Sequence, residues 1–251
     1  MDSTFVRVRG EDHVAVVELD RPRRHNAIGP RLARELEDVA RTVNDDPDVR
    51  AVVLAGAGRS FCAGADMKER LAGPKESEAV FEAVRRASRA IHDFELPVVA
   101  AVHGHALGAG LELAATCDYR VADRSAVLGL PEVKQGITSG GGLLALASLI
   151  PRGALGKLAF GGRIVDAPTA LSLGLVDEIV DEGEALPSAL ALAQEFAEHP
   201  RRVLVACKEV IRAVAQPLAP QQWTFVGHLQ RALEGGPDQQ TALERHQSAP
   251  D

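Results

Sequence analysis

The chain has 251 residues, enough to bury a large core as one domain with appendages or as two. It is 46% hydrophobic and 25% charged, the balance of a soluble globular protein. Its net charge of −7 argues against nucleic acid as the main partner, so any phosphate-bearing ligand needs a local basic cluster.

The opening residues, MDSTFVRVRGED, are charged and have no apolar h-region, so no signal peptide is expected. Residues 5–9 and 14–19 are short β-rich runs joined by Gly10-Glu11-Asp12, a hairpin pattern. Arg21-Pro22-Arg23-Arg24-His25 follows as a compact basic cluster, either solvated surface or a place to meet phosphates. Leu32, Leu36, Val39 and Val43 recur at helical spacing and predict an amphipathic helix over 30–44, with Pro30 in its first turn. A buried strand at 51–55 ends in the glycine-punctuated GAGRSFCAGAD. Residues 76–94 read as a helix with Val80, Val84, Ala87 and Ile91 on one face.

The run LPVVAAVHGHALGAGLELAATC (96–117) is long enough to span a bilayer, but its proline, glycines, two histidines and Glu112 divide it into strand, turn and helix. The strand is placed at 98–102 and the helix at 109–117. Strands at 119–122 and 126–128 and a helix at 140–149 come next. Short buried strands alternating with helices define an α/β protein. After Pro151 the pattern turns helical (153–160, 168–173, 184–198, 201–213, 220–233 and a weak 239–246), apart from a strand at 176–180. Cys62, Cys117 and Cys207 have no regular spacing and lie in apolar contexts, which reads as reduced core thiols in a cytoplasmic protein.

Three features carry chemistry. The first is the small-residue turn Ser60-Phe61-Cys62-Ala63-Gly64-Ala65-Asp66, which lets a ligand approach backbone amides; the bland alternative is an ordinary glycine-rich connection. The second is Gly104-His105-Ala106-Leu107-Gly108-Ala109-Gly110, which opens a helix where unpaired amides form an anion site. Two such amides converging on one oxygen would form an oxyanion hole. The spacing is neither a dinucleotide fingerprint nor a P-loop.

The third is a pair of carboxylates. Glu112 is the one formally charged residue of 96–117, at a helix start where dipole compensation is the bland reading. Glu132, in GLPEV, taken alone reads as surface. If the fold brings the two together, burial and repulsion would split their titrations into an acid and a base. His103-x-His105 lacks a third ligand nearby, so no metal is expected. Ser60 and Ser139 lack the context of a hydrolase nucleophile, and Cys62 reads as core.

Together LDRPRRHNAI, AGAGRSFCAGADMKE, PVVAAVHGHALGAGLELAATCDYRVA, LGLPEVKQGI and FGGRIVDAPTALSLGLVDEIV resemble the crotonase family, the enoyl-CoA hydratases and isomerases, in the family's order over 14–180. The resemblance implies an α/β fold: a spiral of ββα units over 1–190 and a helical C-terminal trimerisation region over 191–251. It implies an acyl-CoA thioester substrate, no metal and no cofactor beyond that substrate. It also implies a homotrimer or dimer of trimers, without a nucleic-acid or membrane partner. Ala65 and Ala109 match the backbone N–H groups that hold the thioester oxygen, Glu112 and Glu132 the pair that activates water, and Gly140 a position near that water. Arg24, Ala63, Asp66 and Lys68 fall in the substrate and CoA region.

The chain departs from the family between Thr138 and Leu143, where TSGGGL places hydroxyls near the acyl pocket, and it lacks an aromatic in TALERH. Residues 67–77 and the following helix are expected to line that pocket. The expected reaction is reversible hydration of a trans-2-enoyl-CoA. The alternatives are double-bond isomerisation through Glu132, and a non-catalytic acyl-CoA-binding protein.

Overall fold

The computed structural model describes residues 4–215 together with Gly236, Gln240 and Glu244. The strands are β1 (Val6–Glu11), β2 (Val14–Leu19), β3 (Ala51–Gly56), β4 (Val98–Val102), β5 (His105–Leu107), β6 (Tyr119–Asp123), β7 (Val127–Gly129), β8 (Ile164–Asp166) and β9 (Glu178–Val180). The helices are α1 (Pro30–Asp45), α2 (Met67–Arg70), α3 (Pro74–His92), α4 (Ala109–Thr116), α5 (Gly140–Ala147), α6 (Arg152–Gly161), α7 (Ala167–Leu173), α8 (Ala185–Ala197) and α9 (Arg201–Ala215). Short 3-10 turns occupy Pro22–Arg24 and Pro131–Gln135.

The large sheet has the order β1-β2-β3-β4-β6-β9, with β1 and β2 antiparallel and every later pair parallel. A small sheet, β5-β7-β8, lies apart from it. Successive turns therefore run from a large-sheet strand to a small-sheet strand to a helix, as in β4-β5-α4. The turn after β3 joins the pattern through a parallel bridge between Cys62 and Ala106. This is the spiral of ββα units.

Both faces of the large sheet are covered, so β3 and β4 are buried at every residue and read as continuous apolar runs. On one face Val17, Val52, Leu54, Val98 and Ala100 pack with Leu32 and Leu36 of α1, Ala87 and Ile91 of α3, and Leu111 and Leu113 of α4. On the other, Val16, Val53, Val99 and Val121 meet Ala185, Ala189, Ala193 and Ala197 of α8, whose four-residue spacing sets one small-residue stripe against the sheet. The domain boundary expected at 190/191 falls inside this helix, which is part of the core.

Among the described residues the expected elements recur within a few residues of their bounds, while β5, β8 and α2, each three or four residues long, are new. Cys207 corrects the sequence reading: it is exposed, whereas Cys62 and Cys117 are buried. The cause is how α9 docks. Arg201 Nη2 donates to Asn44 O (2.6 Å), Lys208 Nζ to Leu96 O (2.6 Å) and Arg212 Nη2 to Phe94 O (2.9 Å). The cationic face thus points inward, and Val203, Cys207 and Val210 point out. The helices expected at 220–233 and 239–246 fall outside the described residues, apart from Gln240 and Glu244. Among the described residues no helix is long and apolar enough to cross a membrane.

Candidate active site

The two glycine-rich turns lie side by side because their backbones pair. Phe61 N–H donates to His103 O (2.8 Å), Cys62 N–H to His105 O (2.9 Å) and Leu107 N–H to Cys62 O (3.1 Å). The first turn is held from below by Ile28, whose N–H reaches Gly64 O and whose carbonyl accepts from Asp66 N–H, both at 2.8 Å. That ladder uses the Gly64 carbonyl and the Asp66 amide on either side of Ala65 and leaves the Ala65 N–H out. Ala109 is the first residue of α4, where an amide has no partner a turn back. Among the described residues neither the Ala65 nor the Ala109 N–H finds an acceptor. Both residues line one cavity of about 100 Å³.

The carboxylates enter the same cavity from two sides. Gly108, at φ +54°, is the N-cap of α4, and a Cβ there would lie 2.8 Å from Glu132 Oε1. Gly141 serves Glu112 in the same way, since a Cβ there would lie 2.1 Å from its Oε1. Each carboxylate thus rests on a glycine of the opposite segment.

Glu112 is 3% exposed, and Ser88 Oγ–H of α3 donates to its Oε1 at 2.6 Å. Burial, with the nearby charge of Glu132, pushes the Glu112 carboxyl up to about 7, against the pull of Ser88 and the Gly142 amide. Burial also raises Glu132, opposed by Ser139 and the charge of Arg70. Glu132 Oε2 is buried and has no hydrogen-bond partner among the described residues. A buried, unpaired carboxylate oxygen beside a cavity is an acceptor or donor held for something that enters.

The family model for enoyl-CoA hydratase/isomerase matches residues 9–245. The chain belongs to the enoyl-CoA hydratase/isomerase family. It is 39% identical over 197 residues to a putative enoyl-CoA hydratase/isomerase, YngF, of Bacillus subtilis, covering 76% of this chain and 75% of that one. It is 38% identical over 188 residues to a crotonyl-CoA hydratase of Syntrophomonas wolfei, covering 73% and 72%. The crystal structure of an enoyl-CoA hydratase/isomerase from Mycobacterium paratuberculosis superposes with a TM-score of 0.87 at 26% identity, over 97% of this chain and 98% of that one.

The other residues expected of an enoyl-CoA hydratase/isomerase site divide by position. Ala63 and Gly140 line the cavity, as do Thr138 and Ser139, while Met67, Arg70, Val80, Phe81 and Val84 of α2 and α3 form its wall. Arg24 and Lys68 are exposed outside that lining, with Arg24 next to the backbone that receives Ala63 N–H at His25 O (2.9 Å). Asp66 does not face the cavity. Its carboxylate accepts from Arg21 Nη2 (2.9 Å) and from the amides of Lys68 and Glu69, capping α2.

His103 and His105 turn to different partners. His103 Nε2 meets Gly58 O, and His105 Nδ1 shares the buried Ser60 hydroxyl with His25 Nδ1. No group of three or more His, Cys, Asp or Glu among the described residues could hold a metal ion. Burial pushes the Cys62 and Cys117 thiols up to about 12, so both stay protonated.

Four residues with a part in the site carried no role in the sequence reading. Gly141 rather than Gly140 touches Glu112, Ser88 binds it, and Arg70 enters the cavity. Asn26, fully buried at φ +58°, donates to Ala57 O (2.9 Å) and Ser60 O (2.7 Å), pinning the first turn. It lies in the quoted LDRPRRHNAI motif, and an asparagine between a β-rich run and a proline-started helix was the available signal for a left-handed turn.

Proposed function

We propose that this chain catalyses the reversible hydration of a trans-2-enoyl-CoA to a 3-hydroxyacyl-CoA. The observation that carries the reading is the buried, partnerless Glu132 Oε2 facing the same cavity as Glu112, beside two unpaired amides.

The Ala65 and Ala109 N–H groups hold the thioester oxygen, where negative charge accumulates as the β-carbon is attacked; one such donor is worth about 3 kcal/mol of barrier. A water lies between the carboxylates. With one proton shared by the pair, Glu112 takes one of the water's protons as the oxygen bonds to the β-carbon while Glu132 delivers a proton to the α-carbon, and the proton left on Glu112 passes back to Glu132 before the next turnover. The net change is H on Cα and OH on Cβ, and in the reverse elimination the roles exchange. The raised titration of both groups fits one neutral acid beside one ionised base near pH 7. Arg24 meets the CoA phosphates, with Lys68 adding charge nearby, and the Ala63 carbonyl meets the adenine. Assembly as a homotrimer or dimer of trimers belongs to the same proposal and is read by light scattering.

The test is incubation with crotonyl-CoA and, separately, a 3-enoyl-CoA. Loss of the conjugated enoyl absorbance with formation of 3-hydroxybutyryl-CoA supports hydration. Turnover of the 3-enoyl ester alone would replace it with isomerisation, and binding of both esters without turnover would leave a non-catalytic acyl-CoA-binding protein.

A further inference from the structure

Three backbone bonds bracket Ala65 and fix where its free amide points: Ala63 N–H to His25 O (2.9 Å), Ile28 N–H to Gly64 O and Asp66 N–H to Ile28 O (both 2.8 Å). All three partners lie on the strip 25–28, so the aim of the amide is only as firm as that strip. The strip begins with two consecutive residues at positive φ, His25 at +48° and Asn26 at +58°. Among the described non-glycine residues the other such pair is Asp12 and His13, where the tight turn between β1 and β2 requires it. No hairpin closes at 25 and 26, and a Cβ makes the left-handed conformation unfavourable there.

Both left-handed residues are held by Ser60, which is fully buried. Asn26 Nδ2 donates to Ser60 O (2.7 Å), and His25 Nδ1 meets Ser60 Oγ (3.0 Å). The same hydroxyl reaches His105 Nδ1 (3.1 Å), on the segment that runs into Ala109. Gly104 permits this approach, since a Cβ there would lie 2.1 Å from Arg59 O and 3.2 Å from Ser60 Cα. One side chain thus joins the strip that aims Ala65 to the turn that carries Ala109.

A hydroxyl has one proton. With both imidazoles neutral, it donates to one Nδ1 and accepts from the other, which must be the protonated one. The bridge therefore locks His25 and His105 in opposite tautomers, with their rings 5.7 Å apart and edge to face.

We propose that Ser60 is a positioning residue for the oxyanion pair: through His25, Asn26 and His105 it holds the Ala65 and Ala109 amides at the spacing that one thioester oxygen needs. This step rests on the proposed function, in which those two amides hold that oxygen.

The bridge is read by nitrogen NMR of isotope-labelled histidines in the wild-type protein well above neutral pH, with His25→Gln and His105→Gln assigning the signals. One ring of the pair should carry its proton on Nδ1 and the other on Nε2. The same tautomer on both would overturn the proposal, whatever the reaction.

The positioning is read with carbonyl-labelled butyryl-CoA, a saturated ester that binds without reacting. Infrared difference spectra should show its C=O stretch lowered on binding to the wild-type protein, because two amides polarise the carbonyl. In Ser60→Ala the stretch should return part of the way to that of the free ester, with little change in Kd. The kcat for crotonyl-CoA should fall roughly 10- to 100-fold, the scale of a donor misplaced rather than deleted. His105→Phe changes an exposed side chain, removes one arm of the bridge and should act in the same direction, which keeps the test open even if Ser60→Ala does not fold. A stretch shifted equally in the wild type and both variants would overturn the positioning role and leave the amides as donors. No shift in the wild type would refute the two-amide reading itself.

Discussion

At the starts of β4 and β6, Lys208 and Asp118 meet at 2.6 Å, and Arg120 and Asp177 at 2.7 Å. Lys208 is 4% exposed, yet Asp118 and the Leu96 carbonyl answer its charge, and Asp118 also accepts the Val98 amide at 2.7 Å. Glu112 is as deeply buried, but what faces it is a serine, a glycine amide and a second carboxylate. Where burial is matched by opposite charge, the result is a joint between α9 and the sheet. Where it is matched by hydroxyl and amide donors beside like charge, a proton is left mobile near neutral pH.

The largest expected effect comes from removing the mismatched charge. Glu112→Gln or Glu132→Gln should lower the kcat for crotonyl-CoA hydration by roughly 10²–10⁴-fold, the range of a positioned acid or base. The pair should be non-additive, because the second loss falls on a site already disabled. Stability should move the other way for Glu112. Its carboxyl titrates at about 7 in the folded protein against an ordinary 4.5. Ionisation therefore costs the folded state progressively as pH rises from 4.5 to about 7, and the whole cost stands above that. Glu112→Gln should raise Tm at pH 8 and leave it near wild type at pH 4.5, with a gain on the order of 3 kcal/mol as the ceiling. A variant less stable than wild type at pH 8 would place Glu112 with the matched charges, and near-normal turnover of either variant would refute the paired mechanism.

The matched pair should answer in the opposite sense. Lys208→Met removes the cation and leaves Asp118 facing a thioether. A fully buried pair broken in this way costs about 3–5 kcal/mol, and the partial exposure of Asp118 brings the expected loss down to about 2 kcal/mol. The urea midpoint should fall accordingly, while the kcat of the folded fraction stays within about twofold, since Lys208 touches no part of the cavity. A stability change below about 0.5 kcal/mol would mean that α9 is anchored elsewhere.

The sequence is a good guide to one of these regions and a poor guide to the other. Glu112 stood out because its isolation is local: one carboxylate in an apolar run shows without any tertiary knowledge. Glu132 did not, since GLPEV alone reads as surface; what makes it a partner is the bare backbone of Gly108, twenty-four residues earlier. Ser88 lies on a helix face where a small polar residue is unremarkable, and its target is on another element. Arg70 closes the charged string MKER, which resembles a solvated turn until α3 is packed beside it. The spiral was legible through motif order, whereas β5 and β8 are three residues long and owe their pairing to neighbours rather than to alternation. For α9 the apolar context of Cys207 reads as core, but cations bonding to main-chain carbonyls turn the face with Cys207 outward.

The smallest expected effect tests what keeps Glu112 usable. Ser88 Oγ–H donates 2.6 Å from its Oε1, a bond that favours the charged carboxylate and holds its titration down against burial. Ser88→Ala removes that donor and leaves Gly142 as the remaining hydrogen-bond brake. The Glu112 titration should then rise above about 7, and a base must be ionised to take a proton from water. The rising limb of kcat/KM against pH should move to higher pH by about one unit, with most of the rate recovered on the alkaline side. At pH 6.5 the variant would look badly impaired, and at pH 9 nearly intact. A loss of the same factor at every pH would mean that Ser88 merely fixes the rotamer. A falling limb that moves to higher pH while the rising limb stays in place would reverse the roles of the pair, since the raised titration would then belong to the acid.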